Sequence, residues 1–208
     1  MHARRRKFPC FIKCIAGLVL VLLMTGCIPR SIELELDRVE LASKDDEEEA
    51  EPAEGRLILG HFSDRRGKAP RWIGDIFGWF RYPKSVLATD ESVTVVVRRF
   101  VQENAESRDL LTGRRAEATY QLSGEILQLQ GTAYLEAQAR AHINVRLTTP
   151  DGSKQVYEKD HEIYLVRGSG FFAYGAVKEA LEEALNKVIA DALEDDDFLE
   201  VIESAEDA

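Results

Sequence analysis

Cys27 is the residue of this chain best placed to do chemistry, a thiol set directly behind an apolar run. It closes a stretch in which the basic cluster Arg4, Arg5, Arg6 and Lys7 is followed by the apolar run Ile15 to Met24 and then by Thr25-Gly26. A basic head, an apolar core and small residues at a cleavage point are the parts of an export signal. Cys10 and Cys14 fall inside the segment such a signal loses, so the mature chain keeps Cys27 as its one thiol. In an oxidising compartment that thiol has no internal disulfide partner, and its expected use is to carry lipid. The apolar core is about ten residues, well short of the ~20 that span a bilayer, which disfavours a membrane-spanning anchor.

Small-small-Cys after an apolar run resembles the lipobox of bacterial lipoproteins. The resemblance implies cleavage ahead of Cys27 and attachment of palmitate-type acyl chains, several of which make anchoring durable at ~0.8 kcal/mol per buried methylene. Ile28 stands where inner-membrane lipoproteins typically carry Asp, and by the same resemblance this implies export to the outer membrane, on its periplasmic face.

Other reactive patterns are weak. The chain holds no G-x-S-x-G elbow, no H-E-x-x-H pair and no phosphate loop. His61, His142 and His161 sit on three separate expected strands and would need the fold to gather them before they could meet the ligand demands of zinc. Asp64-Arg65-Arg66 ends a strand-like run, where such residues cap a turn or form an ion pair. No catalytic residue, metal or cofactor is therefore expected, and the chain is read as no enzyme. Three polar groups converging in a cleft would revive a hydrolase with an unrecognised site.

Two glycine-punctuated segments hold both tryptophans and much of the remaining aromatic content. Residues 71–82 carry Trp72, Phe77, Trp79 and Phe80; residues 168–175 carry Phe171, Phe172 and Tyr174. Loops are usually polar, and aromatics on pliable backbone are favoured at contact surfaces. These seven residues are the candidate partner or ligand contact. The competing reading is a lid folded back over a sheet edge or helix.

Removing residues 1–26, with five basic and no acidic side chains, takes the net charge from −10 to −15. So acidic a chain repels phosphate backbones and anionic lipid head groups, and no nucleic-acid partner is expected. The acid is concentrated in Asp45 to Glu51, which reads as a solvated spacer, and in a stretch beginning at Glu194 that opens an acidic tail. The chain divides into a signal (1–26), a lipidated start with a short strand and acidic spacer (27–54), one domain (55–194) and the tail (195–208).

Periodicity supplies the elements that must position these groups. Ser31 to Leu36 alternates as a half-buried strand. Arg56 to Phe62 is a nearly continuous apolar run, as in a central strand covered on both faces. Val93, Val96, Val97, Phe100 and Val101 have helical spacing over residues 90–104, with Thr89 or Asp90 as cap and Glu91 in the first turn. Ala118, Tyr120, Leu122, Gly124 and Ile126 alternate on one strand; Leu135, Ala137, Ala139, Ala141, Ile143, Val145 and Leu147 alternate on the next, around a loop centred on Gln130-Gly131.

A further strand runs from Gln155 to Val166 after Pro150-Asp151-Gly152. Thr149 pairs with Ser153 across a three-residue loop, which sets His142 opposite Asp160. Ala173 to Leu193 forms an amphipathic helix, and Gly124, Ala137, Ala139 and Ala141 let it approach the sheet. The expected fold is α+β, a mainly antiparallel sheet of four to five strands with two amphipathic helices on one face.

At this level the chain resembles the YajG-like bacterial lipoproteins, and more loosely the auxiliary lipoproteins of ABC-type envelope transporters. Asp64-Arg65-Arg66, Ile73-Gly74, the valine-rich helix, Tyr120 to Ile126, Asn144 to Leu147 and the Ala180 to Leu185 helix carry the likeness, over roughly residues 55–194. The resemblance implies an envelope lipoprotein with no assigned reaction. The expected function is a non-enzymatic interaction or accessory module, held to the membrane by lipid and docking an envelope protein through the aromatic segments. The alternative is a periplasmic carrier or sensor of a small amphiphile, a lipid or glycan fragment, as an ABC-transport auxiliary. A closed apolar cavity favours the carrier; an open aromatic patch favours docking.

Overall fold

The computed structural model describes residues 30–32, 56–77, 83–168 and 174–204. It holds strands β1 (Arg30–Ile32), β2 (Leu57–Asp64), β3 (Trp72–Phe77), β4 (Pro83–Thr89), β5 (Tyr120–Ala133), β6 (Glu136–Thr148) and β7 (Gln155–Gly168). Its helices are α1 (Val93–Glu106), α2 (Tyr174–Leu193) and α3 (Asp196–Ser204). The strands join one sheet in the order β1-β4-β3-β5-β6-β7, with β2 also paired to β5. The long ladders, β5 with β6 and β6 with β7, are antiparallel, while β1 on β4, β2 on β5 and β3 on β5 are shorter parallel pairings. The α+β class and the placing of α1 and α2 over one face agree with expectation, on a larger sheet.

β5 organises the molecule because its outer edge serves two strands in succession. β2 pairs with it from Tyr120 to Ile126, and β3 takes over from Gly131 to Ala133. A bulge at Leu127 keeps the apolar phase: Leu122, Gly124 and Ile126 face the helices before it, Leu129, Gly131 and Ala133 after it. The strand thus runs straight through Gln130-Gly131, and the turn lies at Tyr134-Leu135. Leu135, expected on the apolar face, is exposed there.

α2 lies over β5, β6 and β7. Ala137, Ala139 and Ala141 are buried beneath it as expected. Gly124 has another neighbour: a Cβ there would meet Asn144 O at 2.3 Å and the Phe62 ring at 2.9 Å, so its smallness serves β6 and Phe62. Gly131 is the glycine under the helix, facing Val177 and Leu181. α1 packs on β2 and α2, and Asn104 ties the two helices through Asn186 Oδ1 at 3.3 Å.

Several local expectations are corrected. Residues 72–77, expected in a loop, are a strand, and 83–89 form another to which the sequence pattern gives no element; both Ile73 and Ile76 point inward because the ladder shifts register between Trp72 and Gly74, so no two-residue period shows in the sequence. β2 is covered by α1 on one face and leaves His61 exposed, so it is not sandwiched. α1 starts at Val93 with Ser92 in the cap position; Thr89 instead ends β4, its Oγ1 donating to Glu91 O at 2.6 Å. Glu91 lies outside the first turn and pairs with Arg99 at 3.0 Å. The Asp45 to Glu51 spacer and the continuation of β1 to Leu36 lie outside the described residues.

The β6–β7 register differs by two residues. Gly152 donates to Thr149 O at 2.8 Å and has φ +75°, as the expected turn requires. Thr149, however, pairs with Lys154, one residue beyond Ser153, and a bulge at Val156 adds a second. A one-residue slip alone would turn every β7 side chain over; the bulge restores the phase that keeps Tyr157, Ile163 and Leu165 inward. His142 consequently faces Glu162, and Asp160 lies diagonally from it, Nε2 to Oδ2 3.6 Å.

The stretch after Glu194 contributes a helix. Asp195 Oδ1 accepts from Phe198 N–H at 3.3 Å, capping α3, and Phe198 is fully buried with its ring edge-on to Tyr157 at 5.4 Å. Phe198→Ala should therefore cost about 3 kcal/mol in urea unfolding, near the lower bound for a buried ring because a terminal helix can undock alone. A change below ~0.5 kcal/mol, the scale of a surface substitution, would show that α3 lies outside the cooperative unit.

Candidate functional site

The sheet direction decides which of the seven aromatic candidates meet. β3 ends and β4 begins at Phe77 and Pro83; β5 passes into β6 at Tyr134-Leu135; β7 ends at Gly168, opposite Glu136, before α2 opens with Tyr174. All of these points lie at one end of the sheet. Phe77 and Tyr174 are therefore gathered there, Tyr174 partly buried against the core. Trp79, Phe80, Phe171 and Phe172 lie outside the described residues, as does Cys27.

Trp72 stands apart. It opens β3 and is five residues from Phe77, roughly 17 Å of strand. Lys68 Nζ lies 4.9 Å from its ring centroid, and its carbonyl accepts from Arg66 at 2.6 Å. Its surroundings are those of a packed strand start.

An open groove of about 570 Å³ occupies the gathered end, lined by Phe77, Thr132, Tyr134, Leu135, Glu136 and Gln138. It lies on the sheet face away from the helices. Asp75, Thr132, Gln138 and Val166 form one row across β3, β5, β6 and β7 on that face, with Arg140 and Tyr164 in the next row. Leu135, Tyr164 and Val166 are 52%, 56% and 48% exposed. The rest of the face is laced with ions: Arg146 binds Glu158 and Glu125, Arg65 also reaches Glu125, and Arg140 pairs with Glu162. The apolar exposure is thus local to one end, as a contact surface requires.

The histidines have three separate fates. His61 is exposed and His142 lies on the ionic face. His161 is buried on the helix face, its Nδ1 2.7 Å from Asp191 Oδ2 and its Nε2 3.0 Å from the Tyr157 hydroxyl. Tyr157 also donates to Asp195 Oδ1 at 3.3 Å, and Lys159 reaches Asp195 and Asp197 at 2.6 and 3.0 Å. Among the described residues no three His, Cys, Asp or Glu side chains are placed to hold a metal ion.

This Asp-His-Tyr chain was absent from the sequence reading, although His161 falls in the apolar phase of β7 between Tyr157 and Ile163, the signal by which it could have been found. A carboxylate orienting an imidazole is the geometry of a general base. Here the ring's other nitrogen meets a phenol whose pKa is pushed up, chiefly by burial and then by the charge of Asp195. Burial also pushes Asp195 up, but the bond from Lys159 prevails and holds it below the usual carboxylate range. A phenol so raised is a poor proton donor or acceptor near neutrality. The cluster fastens the end of α2 and the start of α3 to β7.

Asp64 and Arg66 form a buried staple. Arg66 is bidentate to Asp64, Nε to Oδ1 2.9 Å and Nη2 to Oδ2 2.7 Å, while Nη1 donates to Trp72 O and, at 3.3 Å, to Leu129 O. The expected turn-and-ion-pair role is what the geometry shows.

No family model and no curated protein matches the chain. Solved structures match its fold. A Xanthomonas campestris protein of the DUF330 family is 17% identical, with a TM-score of 0.54 over 74% of this chain and 92% of that one. A minor lipoprotein from Acinetobacter baumannii is 6% identical, with a TM-score of 0.38 over 49% of this chain and 83% of that one. The likeness to the Xanthomonas protein is one of fold alone.

Proposed function

We propose that this protein is a lipid-anchored lipoprotein of the bacterial envelope, on the periplasmic face of the outer membrane. It acts as a non-enzymatic accessory module that docks a protein partner through the groove and the apolar residues beside it. The observation that carries the reading is the contrast on one sheet face, where exposed Tyr164 and Val166 adjoin the groove while the rest of the face is neutralised by ion pairs. The N-terminal segment ending in Thr25-Gly26-Cys27 supports the anchor. Kinship with the YajG-like lipoproteins belongs to this proposal and is consistent with the shared DUF330 fold.

A second reading, carriage of a small amphiphile, draws on the groove's volume, which falls in the range of ligand pockets. Its openness and its mixed lining, with Thr132, Glu136 and Gln138 beside the aromatics, suit a docked protein segment better. Photo-crosslinking in intact cells tests the choice, with a benzophenone amino acid at Val166, Tyr164 or, as a control, Lys154 at the sheet's other end. Discrete protein adducts at Val166 and Tyr164 and none at Lys154 are expected. Adducts that are absent from both, or equal at Lys154, would remove the docking role.

A further inference from the structure

The sheet register puts Arg30, three residues after Cys27 in the chain, in the same row as Gly131, three residues before Tyr134. Arg30 pairs with Leu87, Leu87 with Gly74 and Gly74 with Gly131, so one row crosses β1, β4, β3 and β5. β1 is parallel to β4, which runs away from the Phe77 end, so Arg30 is the residue of β1 nearest that end. Three residues before Arg30 is Cys27; three residues beyond Gly131 along β5 is Tyr134. At 3.3–3.6 Å per extended residue, three residues reach at most roughly 10 Å, so a lipid on Cys27 is held within that distance of Arg30, the same reach that separates Gly131 from the turn. The two are about 15 Å apart laterally, three strand spacings of ~4.8 Å.

From this we infer that the end of the sheet bearing Tyr134, Leu135 and Phe77 is seated on the bilayer surface that holds the anchor, with Leu135 at head-group level. The inference rests on the lipid-anchor reading and goes beyond it by naming the membrane-facing surface. Lipidation at Cys27 leaves no slack for the bilayer to stand away from this end of an upright domain. The side chains presented there suit the boundary: an exposed leucine at a hairpin tip beside a tyrosine, the residue type enriched where apolar and wet environments meet. Exposed Glu136 next to Leu135 holds insertion to head-group depth, since a carboxylate in hydrocarbon is costly.

Charge is distributed to match. Lys159, which binds Asp195 and Asp197, lies in the row of Val145 and Gly124, ten residues below Tyr134 on β5, or about 33 Å. The acidic start of α3 is thereby held several Debye lengths from anionic head groups. The protein-docking groove shares Phe77, Tyr134 and Leu135 with the seated end and continues down the sheet face to Thr132 and Gln138, so its partner is met at the membrane surface.

Depth-dependent quenching tests the seating. The full lipidated chain, carrying a bimane fluorophore on Leu135→Cys or on Lys154→Cys, is reconstituted into vesicles of phosphatidylethanolamine and phosphatidylglycerol with head-group nitroxide lipid. Both positions are exposed, and the 13 residues of β6 set them roughly 40 Å apart. Strong quenching at position 135 with none at 154 is the expected result, and flotation with the vesicles reads the anchor separately. A chain that floats but shows no quenching at 135, or equal quenching at both, overturns the seating and leaves the anchor standing; that end would then be covered by protein or solvent. A chain that does not float overturns the anchor and the seating together.

Discussion

Gly74→Ala is expected to leave no stable native domain. A Cβ at this position would lie 1.7 Å from the Gly131 carbonyl oxygen and 2.7 Å from its carbonyl carbon. Both atoms are backbone of the neighbouring strand, so no side-chain rotation relieves the overlap. Gly74 also has φ +151°, in a region essentially confined to glycine. β3 is held by β4 on one side and β5 on the other, so any shift breaks a ladder. A loss above ~4 kcal/mol is expected, in the exceptional range for one substitution and close to the ~5–15 kcal/mol that keeps a domain folded. Urea unfolding followed by circular dichroism, on the chain from Ile28 onward, measures it. Gly131→Ala should cost less, about 1–3 kcal/mol, because the atoms it meets, Val177 Cγ1 at 2.6 Å and Leu181 Cδ1 at 2.8 Å, are side-chain ends. Gly113→Ala meets nothing within 4 Å and should stay within ~0.5 kcal/mol of the parent. An unchanged midpoint for Gly74→Ala would show that β3 does not approach β5 in this register.

Only interactions that leave a periodic trace are readable from the chain alone. α2 was legible along its apolar stripe from Val177 to Leu193, which packs on a regular alanine-lined surface, while Glu182, expected on the polar side with Lys178, is buried. β6 was legible because a strand with one buried face must alternate. β3 was not, since a register shift puts Ile73 and Ile76 on the same side and its two glycines-in-contact partner, Gly131, is 57 residues away in sequence. The hairpin at Thr149 departs from expectation for a related reason: local turn chemistry selects the Pro150-Asp151-Gly152 turn, while the demand that Tyr157 and Leu165 face inward adds a compensating bulge at Val156, beyond the turn itself.

The candidate surface shows the same division. Aromatic content and glycine punctuation pointed to the segments around Phe77 and Tyr174, yet their convergence depends on β3 running parallel to β5, a long-range fact. Trp72 was grouped with them by proximity along the chain, and strand extension carries it away. Tyr164 and Val166 went unnoticed because they lie on the outward phase of β7, where glutamates and aspartate precede them and a polar face was expected throughout. His161 shares the inward phase of Tyr157 and Ile163, but its partner Asp191 is 30 residues away on α2, a contact that leaves no trace in the strand's own pattern.

Arg66→Met should be the most damaging substitution of a charged residue in the described domain, at about 3–5 kcal/mol, the usual cost of removing one member of a buried pair. The Arg66 side chain is 3% exposed. Between Ile126, where β2 leaves β5, and Gly131, where β3 joins it, that edge of β5 has no paired strand. The Arg65 backbone N–H covers Ile126 O at 2.9 Å, and the Arg66 guanidinium covers Leu129 O while holding Trp72 O at the start of β3. Methionine fills much of the volume but supplies no donor, stranding two carbonyls and the Asp64 carboxylate. Arg66→Lys should recover little, because one ammonium cannot reproduce the fork that binds both Asp64 oxygens and a carbonyl together. The pH dependence separates this pair from simple packing. The Arg66 side-chain bonds hold the Asp64 carboxyl below its ordinary value, against the opposing effect of burial. A carboxylate depressed in the folded state contributes stability above the unfolded pKa of ~3.9, and that contribution fades as pH falls toward the folded value. The gap between parent and Arg66→Met in urea unfolding should therefore be widest near about pH 7 and narrow as pH falls below about 4. A gap that is constant over that interval would mean that Arg66 acts through its packing and its carbonyl contacts alone, with no net contribution from the charge of Asp64.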